Sequence, residues 1–252
     1  MTMSDIAQAE RLLAEAAASR WTHTQVKAYW DARDGSRYGE GMTTWVPHYK
    51  EAHQRLLRTL LAFLPANGRL LDLGAGNGRV ARLVLEAHRT CHVTLIDLPN
   101  GMLKAAPAVL SEFSGRFDLC AGDMFSAAPV LTPSSFDAVI SVFALSHAPT
   151  VAAYLRVYQD IYACLKPGGL FVCYDHVLGD APVLTALNVA GWHEFLLGAQ
   201  SSQQAHDVVV STYQEDRPLA LRQHVELLWQ SDFRAVDVLF KHDIFAIYAG
   251  VK

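Results

Sequence analysis

The spacing of apolar positions changes along this chain, and each change marks a new kind of element. Over residues 5–19, Ile6, Ala9, Leu12, Leu13 and Ala16 recur at three- and four-residue intervals, the stripe of an amphipathic helix. A second helix is predicted over residues 25–32, after which "RDGSRYGEG" breaks the pattern with glycines. From Pro47 a longer helix runs through "HYKEAHQRLLRTLLAFL" and stops at "PANG". Then the period shortens. "RLLDLG", "HVTLIDL", "RFDLCAGD", "FDAVISVFA" and "GLFVCYDHV" are short runs rich in Val, Ile, Leu and Phe. Helical segments over residues 79–87, 101–113 and 150–165 separate them. Strands buried on both faces look like this, and their alternation with helices predicts right-handed βαβ units and a parallel sheet. Residues 178–216 are again helical and aromatic, a cover over one end of the sheet packed with the N-terminal helices. "FRAVDVLFKHD" and "FAIYAGVK", joined around Asp243 and Ile244, read as an antiparallel hairpin on the sheet edge.

With 252 residues and 51% hydrophobic content, the chain can bury a substantial core. It reads as one domain over 1–252, with 1–48 and 178–216 covering a core of 49–177 and 217–252. The net charge of -4 and the absence of a Lys/Arg stripe weigh against a nucleic-acid partner. Cys91, Cys120, Cys164 and Cys173 stand far apart, as free thiols in a reducing compartment do. The start "MTMSDIAQAERLLAEAAASR" lacks the basic and apolar regions of a signal peptide, and no apolar run reaches membrane-spanning length. The expectation is a cytoplasmic monomer or homodimer with no membrane partner. Eleven histidines show no coherent ligand spacing, so no metal site is expected, and His53, His88 and His92 are expected in solvent.

The chemistry concentrates at "LLDLGAGNGR". Gly74, Gly76 and Gly78 let the backbone turn tightly and approach a ligand, and the helix after them offers free N–H groups. Dinucleotide sites want G-x-G-x-x-G, but here Arg79 stands where the third glycine would fall. Asp72, just before the turn, suits a cationic ligand better than pyrophosphate. A tight strand-to-helix turn with no ligand is the alternative. Asp97 ends the second strand, where a carboxylate accepts both ribose hydroxyls, and Asp123 follows the third, placed for the amine of a purine with Leu98 and Met124 beside the ring. Each acid alone would read as a helix cap or strand end.

With "FDAVISVFALSH" and the Lys-Pro-Gly-Gly of residues 166–169, the order and spacing over residues 70–177 resemble a class I S-adenosylmethionine-dependent methyltransferase. The resemblance implies a Rossmann-like α/β fold: a seven-stranded, mostly parallel sheet with an antiparallel last strand, helices on both faces and a small helical cover. It implies that Gly74, Ala75 and Gly76 pass under the methionine portion of S-adenosylmethionine, with Asp72 near its ammonium. Asp97 would hold the ribose, Leu98 and Met102 would flank the adenine, and Asp123 with Met124 would fix the base. Ser141 would offer its carbonyl or hydroxyl to the ammonium. "WVPHY" is similar to the "VPGY" of the tRNA wobble-uridine carboxymethyl-transfer branch, which implies a cofactor contact for Tyr49. His48 replaces that glycine and "QQAHDVV" lacks an arginine counterpart, which favours plain S-adenosylmethionine over its carboxylated form.

Transfer from a sulfonium is an in-line displacement that positioning alone accelerates, and a base is needed only for a protonated acceptor. His147 in "ALSHAP" is a candidate base, orienting group or wall residue, and His176 in "CYDHV" is a second candidate. Trp30, Tyr38, Trp45, Trp192, His193, Phe195 and Tyr213 are candidate walls of an acceptor pocket between the fourth and fifth strand ends and the cover. The reading is methyl transfer to a small-molecule acceptor. The alternatives are a tRNA-modifying methyl or carboxymethyl transferase, an NAD(P)-dependent oxidoreductase and a non-catalytic scaffold.

Overall fold

The computed structural model describes residues 2–37, 39–98, 101–125 and 131–252. Among these, seven strands form one sheet: β1 (Arg69–Leu73), β2 (His92–Asp97), β3 (Phe117–Ala121), β4 (Phe136–Val142), β5 (Leu165–His176), β6 (Ala235–His242) and β7 (Phe245–Val251). The order is β3-β2-β1-β4-β5-β7-β6. β1 to β5 pair in parallel, while β7 runs antiparallel to both β5 and β6. The turn of β6 and β7 falls at Asp243, which adopts φ 46.

Alternate residues of the central strands serve different layers, as the pleat requires. Leu70, Val93, Leu95, Ala138, Ile140 and Val172 pack on one face with α4 (Tyr49–Phe63) and α5 (Arg79–Ala87). Leu71, Leu73, Ile96, Val139, Phe171 and Cys173 pack on the other with α7 (Val151–Cys164) and α10 (Leu221–Gln230). β3 and β6 form the edges and are the more exposed strands.

The cover comes from both sides of the core in sequence. α1 (Met3–Ala18) buries Ala9, Leu12 and Ala16 against α8 (Pro182–Leu197) and α9 (Ser202–Glu215). α2 (His23–Asp31) begins with a capping box in which Thr22 accepts from the Gln25 N–H. The remaining helices are α3 (Met42–Trp45) and α6 (Gly101–Val109).

The Lys-Pro-Gly-Gly of residues 166–169 bulges out within β5, because Phe136 pairs with Leu165 and Ala138 already with Leu170. Lys166 closes the loop by setting Nζ 2.8 Å from both carboxylate oxygens of Asp137.

Under α7 lies a buried polar group. The Tyr158 hydroxyl is 2.7 Å from His224 Nδ1 and 2.9 Å from the Tyr248 hydroxyl. Burial pushes the His224 imidazole down to about 3, so it stays neutral. Removing one partner leaves the others under-satisfied in a dry interior, at roughly 1–3 kcal/mol. Tyr158→Phe is expected to lower the unfolding free energy by about that amount in denaturant titration. An unchanged midpoint would show that the cluster contributes nothing.

Candidate functional site

Strand order turns back between β1 and β4, so a crevice opens beyond their carboxyl ends. The loop after β1 takes Gly74, Gly76 and Gly78 to φ 76, 56 and 81, conformations that suit glycine. A Cβ at Gly74 would also lie 2.3 Å from Cβ of Ala144 and 2.9 Å from Cε of Met124. The N–H groups of Gly74 and Ala75 donate to the Ile96 carbonyl and hold the loop against β2.

Asp97 is set by this loop. Its Oδ2 accepts from the Gly76 N–H and its Oδ1 from the Leu98 N–H, both at 2.6 Å. Each oxygen keeps a lone pair for a further donor. Asp72 is 1% exposed, and its Oδ2 finds no hydrogen-bond partner among the described residues. Burial, aided by the charge of Asp97, pushes its carboxyl up to about 7. An orphaned, buried acceptor at the end of a strand is what an ammonium group would satisfy.

Tyr49, Asp72, Gly74, Ala75, Gly76, Asp97, Leu98, Met102, Asp123 and Met124 all line this one cleft. Tyr49 reaches it because His48, at φ 52, turns the chain in the left-handed region that favours the glycine of "VPGY". Asp123 is already engaged: its Oδ1 accepts from the Phe125 N–H at 2.8 Å, and Lys27 of α2 forms an ion pair with it across the cleft. Ser141 is not on the wall. Its hydroxyl is fully buried and donates to the Leu73 carbonyl at 2.8 Å, tying β4 to β1, while Val142, Phe143 and Ala144 line the cleft instead. His53 is buried rather than in solvent, its ring 4.0 Å from that of Tyr49 and its Nδ1 2.9 Å from the Tyr49 carbonyl. His88 and His92 are half-buried.

A second chamber adjoins the first. Trp30, Met42, Phe143 and His147 face both. Of the expected walls, Trp30, Trp45 and Trp192 are there, joined by Tyr29, Phe143 and Phe245. Tyr213 is buried and Phe195 packs into the core, so neither lines the chamber, nor does the half-buried His193. Tyr38 lies outside the described residues. Trp192 donates its indole N–H to the Trp45 carbonyl at 2.8 Å, which pins α8 to α3.

His147 and His176 meet in this chamber on one carboxylate. Asp216, at the end of α9, sets Oδ1 2.8 Å from Nδ1 of His147 and Oδ2 2.6 Å from Nδ1 of His176. Neighbouring backbone fixes the arrangement. Asp175 accepts from the Ser146 and His176 N–H groups, and the Arg217 N–H donates to the Ser146 carbonyl.

The comparisons agree with this geometry. Residues 70–169 match the family model of a methyltransferase domain. The ubiquinone/menaquinone biosynthesis C-methyltransferase UbiE of Methylobacterium nodulans is 34% identical over 118 residues, 46% of this chain and 45% of that protein. The carboxy-S-adenosyl-L-methionine synthase of Nautilia profundicola is 20% identical over 231 residues, 88% of this chain and 93% of that protein. Human N-acetylserotonin methyltransferase, solved with S-adenosylmethionine, superposes with a TM-score of 0.55 at 19% identity, covering 95% of this chain and 65% of that one. Residues 70–169 are thus a methyltransferase domain, and the fold around them is that of solved S-adenosylmethionine-dependent methyltransferases. It spans less than half the length of the C-methyltransferases it matches.

The sequence does not single out Asp216, the acid that joins the two histidines. Only the pair of acids at the end of α9, Glu215 and Asp216, hints at it, and such pairs are ordinary helix ends. A carboxylate can only accept, so both histidines carry a proton on Nδ1. Burial works against the charge of His147, but Asp216 outweighs it and raises the imidazole to about 9. His176 is raised against burial by the same carboxylate. Burial opposes ionisation of Asp216 too, yet the two imidazoles hold it well below the usual carboxylate range.

The sign of the linkage follows. Both histidines are raised above their ordinary 6.5, so their stabilisation is complete below that pH and is lost as pH rises through each raised value, about 9 for His147. That of Asp216 is present above its ordinary 3.8 and lost on acidification. Between pH 7 and 8.5 the unfolding free energy is expected to fall with pH, by at most about 1.4 kcal/mol per unit for each group. Asp216→Asn should flatten that slope. Equal slopes in both proteins would show that the carboxylate does not set these titrations.

Proposed function

We propose that this chain transfers a methyl group from S-adenosylmethionine to a small-molecule acceptor. The observation that carries the reading is the pair of joined chambers with His147 in the wall between them. One chamber has strand-end acids and a glycine loop fitted to a nucleoside with an ammonium-bearing tail, and the other has aromatic walls fitted to a small acceptor. When bound, S-adenosylmethionine supplies an electrophilic methyl whose bond to sulfur breaks as the acceptor bond forms, with the electron pair left on sulfur.

The chain's residues do the rest. Asp97 holds the ribose hydroxyls, Leu98 and Met102 flank the base, and Asp72 pairs with the ammonium. His147, fixed by Asp216 and raised to about 9, keeps a proton on Nε2 at neutral pH, so it orients an acceptor at the junction and becomes a base only as pH rises toward 9, and His176 lies deeper. Excluding water and fixing the acceptor in line accounts for much of the acceleration. The whole of 1–252 works as one domain, with 1–48 and 178–216 closing over the cleft. No helix among the described residues is long and apolar enough to cross a membrane. That and the scattered free cysteines support a cytoplasmic location.

Full-length likeness to the carboxy-S-adenosyl-L-methionine synthase favours a second reading, in which the same cleft takes the carboxylated cofactor. Mass spectrometry of any copurified nucleoside separates the two, since they differ by a carboxylate.

Calorimetry with S-adenosylhomocysteine tests the cofactor assignment. Asp97→Ala should weaken binding roughly a hundredfold, the loss of two charge-assisted hydrogen bonds. Unchanged affinity in a folded variant would refute the ribose role. Because Asp72 must ionise from about 7 to meet an ammonium, affinity should fall as pH drops below 7, by up to about tenfold per unit. Asp72→Asn should abolish that dependence. A flat wild-type profile from pH 5.5 to 7.5 would sink the ammonium pairing.

A further inference from the structure

Resting on the methyl-transfer reading, we propose that the second chamber takes a single-ring aromatic acceptor with two adjacent oxygens. The methyl-accepting hydroxyl sits on His147, its neighbour sits on His176, and Asp216 is the positioning residue for both imidazoles.

Asp216 faces both Nδ1 atoms, as a hydrogen bond from His176 and an ion pair with His147, so each ring has only Nε2 left for a ligand. No partner for either Nε2 is found among the described residues. The two side chains are only 18% and 15% exposed, in a chamber whose other walls are largely aromatic. Neither Nε2 is sealed from solvent, so a ligand entering the chamber takes water's place as its partner. One carboxylate thus holds two polar tips at a fixed separation, and a ligand with one polar group satisfies only half of the unit.

Position assigns the roles. His147 faces both chambers and His176 only the second, so the atom nearest the cofactor cleft is the one on His147. Shape sets the size. The chamber holds about 160 Å³, close to the volume of a dry cavity that admits one benzene ring. The walls are flat: Phe143 lies 5.3 Å from the His176 ring at 34°, and Trp30 meets His147 edge-on at 5.6 Å.

Charge separates oxygen from nitrogen. His147 is faced by Asp216 and Glu215 at the end of α9, by Asp175 and His176 at the end of β5, and by Asp97 across the cleft. Arg33, stacked on Tyr29 and Trp30, adds a cation to the chamber. Asp216 is spent on the histidines, and burial with the charge of Asp216 raises Glu215 to about 7. A sulfonium in the first chamber adds further positive charge. An acidic hydroxyl is therefore better matched to this junction than an amine.

Calorimetry on protein saturated with S-adenosylhomocysteine tests the proposal with catechol, phenol and aniline as probes. Catechol is expected to bind about tenfold more tightly than phenol, the effect of one additional hydrogen bond to a charged group, and aniline most weakly. His176→Phe keeps a ring in the wall but removes both nitrogens, and it should bring catechol down to the affinity of phenol without altering that for S-adenosylhomocysteine. In ¹⁵N NMR, Asp216→Asn should move the His147 titration downward from about 9, which a purely structural role would leave in place. Equal binding of catechol and phenol, a preference that survives His176→Phe, tightest binding of aniline, or no probe binding at all would overturn the proposal. Failure of S-adenosylhomocysteine itself to bind would instead overturn the reading beneath it.

Discussion

A parallel sheet whose strand order turns back between two neighbours leaves a gap that neither helix layer covers. In this chain the gap lies between β1 and β4. The helix after β1 runs back along one face and that after β4 along the other, so the carboxyl ends of both strands stay uncovered. Polar side chains at those ends face the gap and not an apolar helix layer. Asp72 and Asp97 occupy such ends on β1 and β2, and the glycine loop brings backbone N–H groups to meet Asp97. Nearly every feature of the cleft follows from that opening.

The two chambers treat negative charge in opposite ways. On the nucleoside side, the charge of Asp97 adds to burial in raising Asp72, and Asp72 keeps an acceptor without a partner. That side is left short of positive charge. On the acceptor side a buried carboxylate is fully compensated by two imidazoles, so Asp216 stays ionised in a dry place and fixes both rings. One cavity is an electrostatic deficit waiting for a cation, and the other is a finished unit that presents two directed nitrogen atoms.

The cover joins these halves. α2 reaches Asp123 through Lys27, Trp192 on α8 binds the Trp45 carbonyl, and α9 ends in the acid that orients the histidines. Segments far apart in sequence, before β1 and after β5, therefore complete a site whose floor is made by the strand ends.

Local rules carried much of this. Short buried apolar runs located the strands, the glycines marked the breaks between elements, and the helix predicted over residues 79–87 is α5. The acids at the strand tips were legible because a strand's end is a property of its own few residues. What stayed illegible depended on partners distant in the chain. Nothing near Ser141 says that its hydroxyl faces the Leu73 carbonyl, nothing near His53 that the Tyr49 ring covers it, and nothing near Asp216 that two histidines forty and sixty-nine residues before it converge there. A sequence fixes the period and the local turn, since those are set by neighbouring dihedral angles. Which side chain meets which across the crevice is settled only when the sheet, its twist and the cover have been assembled.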